Sequence, residues 1–215
     1  MEGPPGIITR LNFFRGLAII YAVGLAGHLI PPLRPLMVAI TPYVLLITGG
    51  IILLPVISSR NWRTLVWLLL AGLATFFIEV AGVATGKIFG NYAYTDILGA
   101  PLFGVPPLIG FNWMLVLFGS INLAQIISRR TPLTIAVATL CAPLFDYVME
   151  PVAVAFHYWQ WYTGTPPLQN YIVWGVISGI LCSAYLLLRC SAQRALPAFY
   201  LGVQFVYFTI LYFIV

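Results

Sequence analysis

Seven stretches of the chain are apolar almost from end to end, at roughly 14–30, 36–57, 64–85, 109–127, 133–155, 171–188 and 196–214. Each is close to the ~20 residues a helix needs to cross a ~30 Å hydrocarbon core. Lipid offers backbone groups no hydrogen-bond partners, so repeated spans of this kind fold as helices. The pattern therefore predicts an all-α, polytopic integral membrane helix bundle of about seven transmembrane helices. Residues 1–215 are expected to form one helical domain.

The polar positions fall into two sets, those between the spans and those inside them. With seven crossings, the N-terminus and links 2–3, 4–5 and 6–7 lie on one side, which collects Arg10, Arg15, Arg60, Arg63, Arg129, Arg130, Arg189 and Arg194. The other side receives Arg34 and Lys87, with Asp96 as its loop acid. Basic residues stay on the cytoplasmic side, which predicts a cytoplasmic N-terminus and an outer C-terminus. The segment MEGPPGIITR has no basic stretch ahead of a short apolar core, so no cleavable signal peptide is expected.

Composition agrees with that picture. The chain is 61% hydrophobic and 7% charged, far below the roughly one-quarter charge of soluble domains. The net charge of +5 is distributed between spans and forms no patch, so no nucleic-acid partner is expected. Cys141, Cys182 and Cys190 have neither disulfide nor zinc spacing and read as packing residues or free thiols.

The polar residues inside the spans carry the chemistry. Ionised groups in hydrocarbon are costly, so they normally face the bundle interior and mark a site. Glu79 lies in span 3, beside the small residues Ala81, Gly82 and Ala84 that allow close helix approach. Asp146 and Glu150 lie in span 5, four residues apart and so on one helix face. At 1.5 Å per residue all three sit about 20–25 Å from the cytoplasmic face. His28, Asn112, Trp113, Asn170 and Trp174 fall near the same level from other spans. The bland reading is that each acid is a satisfied polar group holding the bundle together. A lone histidine such as His28 is more often hydrogen-bonded packing than a base.

Two outer links are crowded with aromatics. Residues 86–108 carry too few charges for an ordinary solvated loop and are expected to fold back as a lid. An interfacial aromatic belt is the alternative. Residues 156–167 repeat the theme with His157, Tyr158, Trp159, Trp161 and Tyr162, ending on Pro166 and Pro167. A weak echo links GVPPLIGFNW (104–113) with GTPPLQNYIVW (164–174), which would place helix pairs 3–4 and 5–6 around a shared cavity.

Two distant histidines are too few for a typical zinc or di-iron site, and no metal or cofactor is expected. A carboxylic acid kept neutral in an apolar pocket donates protons. Aromatic faces stabilise cations. The combination suits protonation of an isoprenoid double bond.

At these residues the chain resembles the membrane-bound carotenoid biosynthesis family that includes carotenoid 1',2'-hydratases. The matching segments are Glu79-x-x-Gly82-x-x-Thr85-Gly86, Phe89-Gly90-x-Tyr92-x-Tyr94-Thr95, Leu98-Gly99 and Gly104-Val105-Pro106. Trp113, Asp146 with Glu150-Pro151, Trp159-x-Trp161 and Asn170-x-x-x-Trp174 complete the set, within roughly residues 72–180. Glu150 stands where the family pattern leads one to expect aspartate. The resemblance implies an enzyme of a bacterial or archaeal cytoplasmic membrane that adds water to the acyclic end of a γ-carotene- or lycopene-like substrate. Asp146, or Glu150 in second place, would supply the proton, and Glu79 or the ionised partner would orient water. Asn112 and Asn170 would hold that water. Phe89, Tyr92, Tyr94, Trp113, Trp159, Trp161 and Trp174 would enclose the substrate and the cation. A carotene cyclase, which quenches the same cation by ring closure, and a proton-coupled transporter are the rival readings.

Overall fold

A computed structural model describes residues 7–214, with side chains described from residue 11 onward. The first six of the ten residues on which the signal-peptide expectation rests lie outside the described residues. Seven helices follow in order: α1 (Ile7–Leu29), α2 (Arg34–Ser58), α3 (Trp62–Thr85), α4 (Pro107–Ile127), α5 (Thr131–Ala155), α6 (Leu168–Leu187) and α7 (Ala195–Tyr212). All seven are long and apolar enough to cross a membrane. The protein is a polytopic helix bundle, as the hydrophobic pattern predicts. α1 begins seven residues ahead of the expected span, and the other boundaries agree within three.

α4 forms the centre of the bundle, with side chains buried on every face from Leu108 to Ala124. Between helices in lipid, packing replaces the hydrophobic effect, and small residues let backbones approach. Gly119 faces the Pro197 carbonyl and Leu201 of α7, and Gly110 faces Phe76 and the Gly72 carbonyl of α3. A side chain at either position would collide with backbone.

At the arginine-rich end, Asn61 Nδ2 and Thr64 Oγ1 donate to the Ser191 carbonyl at 2.9 and 2.8 Å. Arg194 Nε donates to Gln125 Oε1 at 3.1 Å. Links 2–3 and 6–7 thus meet the end of α4 on one side of the bundle.

At the other end the two aromatic links pair. Strands β1 (Tyr92–Tyr94) and β2 (Trp159–Trp161) run antiparallel, with Tyr92 opposite Trp161, Ala93 opposite Gln160 and Tyr94 opposite Trp159. The helical reading contained no strands, so this ribbon is an addition to it. α5 hands over to the ribbon through a left-handed residue, His157 (φ 59°), with the Tyr158 N–H closing on the Ala153 carbonyl at 3.0 Å. This is the usual way to satisfy the last carbonyls of a helix, here without glycine. Thr95 N–H donates to the Tyr158 carbonyl at 3.0 Å and Tyr162 N–H to the Asn91 carbonyl at 3.0 Å, extending the ribbon at both ends.

Candidate active site

Side chains alternate across a strand, so Tyr92, Tyr94, Trp159 and Trp161 share one face of the ribbon. That face points into the bundle, where both tyrosines and both tryptophans lie on the wall of a cavity of about 340 Å³. Gln160, on the opposite face, is exposed. The ribbon roofs the cavity.

Each glutamate is held by a different strand of this roof. Glu79 Oε2 accepts the Tyr92 hydroxyl in a short hydrogen bond and the Tyr94 hydroxyl at 2.9 Å. Glu150 Oε2 accepts the indole N–H of Trp159 at 3.0 Å and of Trp161 at 2.9 Å. Asp146 Oδ2 accepts one bond, from Asn170 Nδ2 at 2.6 Å. All three acids are buried and line the same cavity. They sit about 8–14 Å from the ribbon-side ends of α3 and α5, counted at 1.5 Å per residue. The i, i+4 spacing of Asp146 and Glu150 keeps them on one helix face, and Pro151 frees the Tyr147 carbonyl just there.

The aromatic walls are layered. Trp113 and Trp174, the two tryptophans of the Pro-Pro echo, stack with centroids 3.4 Å apart and 16° between planes. Phe89 stacks on Trp174 from behind at 5.1 Å. Of the expected site residues, Phe89 is thus the one set back from the cavity; it supports the wall. Its ring occupies the space left by Gly82, where a Cβ would stand 2.5 Å from Phe89 Cδ2. Gly90 (φ 119°) lets the chain turn into β1, and a Cβ there would sit 2.7 Å from Pro167 Cγ. Asn112 lines the cavity, and its Oδ1 is buried with no hydrogen-bond partner among the described residues. Asn170, by contrast, is committed to Asp146.

Other cavity residues were not legible as site residues. His28 is both hydrogen-bonded and on the wall, its Nδ1–H shared between the Gly24 carbonyl at 2.8 Å and the Tyr207 hydroxyl oxygen at 2.9 Å. Tyr158 donates to Thr41 Oγ1 at 2.9 Å, tying the roof to α2. Burial pushes this phenol up to about 12, so it remains a neutral donor. Gln204 Nε2 donates to the Tyr21 hydroxyl at 2.8 Å across α7 and α1. Tyr21, Gln204 and Tyr207 belong to helices that lie outside the segment of resemblance. His28 was visible as an intramembrane polar residue and Tyr158 as part of the aromatic link. Gln204 is polar within an apolar span but is not among the expected site residues, and Tyr21 and Tyr207 show little contrast with their apolar neighbours.

The fold and site define a class: a seven-helix membrane protein whose buried carboxyls face an aromatic cavity beneath a two-stranded roof. Within that class, residues 40–215 match the model of the family described as carotenoid biosynthesis protein. The chain belongs to this family. It is 32% identical over 181 residues to bisanhydrobacterioruberin hydratase of Haloarcula japonica, an alignment covering 76% of this chain. The chain spans 59% of that relative's length. No solved structure matches the chain.

Proposed function

We propose that the protein is a carotenoid hydratase acting on the acyclic end group of a γ-carotene- or lycopene-like substrate. The observation that carries this reading is the meeting of three carboxyls from two helices in one aromatic-walled cavity. Family membership and the named relative support the substrate class.

Asp146 is the proton donor. Each glutamate has two neutral donors on one oxygen and Asp146 has one. Bonds to an ionised form favour it, so the glutamates are the better-supported carboxylates and Asp146 the acid. The π electrons of the terminal trisubstituted alkene take the Asp146 proton, leaving a tertiary cation and the Asp146 carboxylate. The faces of Trp113, Trp159, Trp161, Tyr92, Tyr94 and Trp174 shelter that cation. Water adds to it and loses a proton to Glu79 or Glu150, giving a tertiary alcohol. Asn112, on the cavity wall, orients the water through its side-chain amide. No cofactor enters this scheme. The protein is set in a bacterial or archaeal cytoplasmic membrane with the arginine-rich end inside.

Expression in a lycopene-producing host tests the reaction. A product heavier by one water, with ¹⁸O from labelled water at the new hydroxyl and deuterium from heavy water on the adjacent carbon, is expected. A cyclic isomer without mass gain would identify a cyclase instead, and an unlabelled hydroxyl an oxygenase.

A further inference from the structure

The cavity is open on one side. Among its described wall residues, the exposed ones are Ile19 and Val23 of α1, each 62% accessible. Facing the cavity from α2 is a stripe of Met37, Ile40, Thr41, Val44 and Leu45, the i, i+3, i+4 pattern of a single helix face. Above this opening α1 and α2 are fastened together. The Met37 thioether fills the space beside Gly27, and Arg34 Nε donates to the His28 carbonyl at 3.0 Å. Ile19 and Val23 lie roughly 9–15 Å below the outer end of α1, at the level of the acids. An opening edged by isoleucine and valine at that depth meets acyl chains.

Size decides what passes through it. About 340 Å³ is at the small end of the ~300–1,000 Å³ of drug-sized pockets. A carotenoid is about as long as the hydrocarbon core is thick, ~30 Å. The cavity holds an end group, and the rest of the molecule must leave through an apolar side. We propose that the gap between α1 and α2 is a lateral portal that holds the polyene stem of the substrate. The stem runs between Ile19 and Val23 on one side and Ile40 and Val44 on the other, while its terminal isoprenoid unit reaches Asp146. This rests on the carotenoid reading above, and it deepens that reading: one end is engaged at a time, and the far end remains in the bilayer.

The test separates binding from chemistry. A nitroxide is attached to a single cysteine replacing Val23, Val44 or, as control, the lipid-facing Val176 of α6, with Cys141, Cys182 and Cys190 replaced. The full chain carries Asp146→Asn to prevent turnover and is placed in phosphatidylcholine vesicles with or without lycopene. Lycopene is expected to lower oxygen collision at positions 23 and 44 at least threefold and to leave position 176 unchanged. Equal effects at all three sites, or none, would mean that lipid chains fill the gap and would overturn the portal. Val23→Trp, which narrows the mouth, should lower lycopene conversion at least tenfold in a protein with unchanged helical content; normal conversion would also overturn it. If the labels respond but wild-type protein yields no hydrated product, the portal stands and the hydratase reading falls.

Discussion

Asp146 differs from the other two acids in how it is held. One amide donor reaches it, where each glutamate has two donors on one oxygen. Asp146→Asn preserves volume and removes the transferable proton. Product formation should fall about 10²–10⁴-fold, the range for general acid–base groups, while the protein still folds. Near-normal turnover would assign the donor to another acid. The tryptophans on Glu150 serve two ends at once, an aromatic face and an indole N–H. Trp159→Phe and Trp161→Phe keep the face and delete the donor. A hydrogen bond to a charged group contributes about 1.5–3 kcal/mol. Each variant should therefore slow turnover roughly tenfold or more, and a wild-type rate in both would show that Glu150 needs neither bond. Sequence could name these residues because carboxyls in hydrocarbon stand out. It could not assign their partners, since which tyrosine meets which acid depends on the strand register.

At the scale of elements, the ribbon decides the site. Its four inward aromatics bind the two glutamates, and its register determines which ones face in. A slip by one residue would turn them outward and leave Glu79 and Glu150 without donors. Ala93 and Gln160 are directly opposite and face away from the cavity. Opposite Cβ atoms in such pairs are about 4.5–5.5 Å apart, within reach of a disulfide after small adjustment. Ala93→Cys with Gln160→Cys should therefore bond under oxidising conditions and keep activity, since neither side chain lines the cavity. A one-residue slip would prevent the bond, as a mass shift after alkylation would reveal. The signal for these strands was present in Tyr-Ala-Tyr and Trp-Gln-Trp, two short period-two alternations. At three residues each they were too short to weigh against the helical period around them. The helices were legible because each one is nearly as long as the bilayer is thick. The α2 stripe along the cavity was not, because an apolar helix in lipid shows no contrast between the face on a pocket and the face on acyl chains.

The whole molecule is polarised along the membrane normal. At one end arginines flank the short links, with Asn61, Thr64 and Arg194 bonded to Ser191 and Gln125. At the other the ribbon covers acids that lie about 8–14 Å below the helix ends. If the positive-inside rule holds for this chain, the arginine end is cytoplasmic, the ribbon and the acids face outward, and the proposed reaction draws its water from the outer side. Two exposed positions read this directly. Thr163 lies in the turn after β2, and Arg129 in the link between α4 and α5. In a background with the three native cysteines replaced, Thr163→Cys should react with a membrane-impermeant maleimide on intact cells. Arg129→Cys should react only after the cells are opened. A reversed pattern would put the acids near the cytoplasmic face and require the reaction to draw its water from inside.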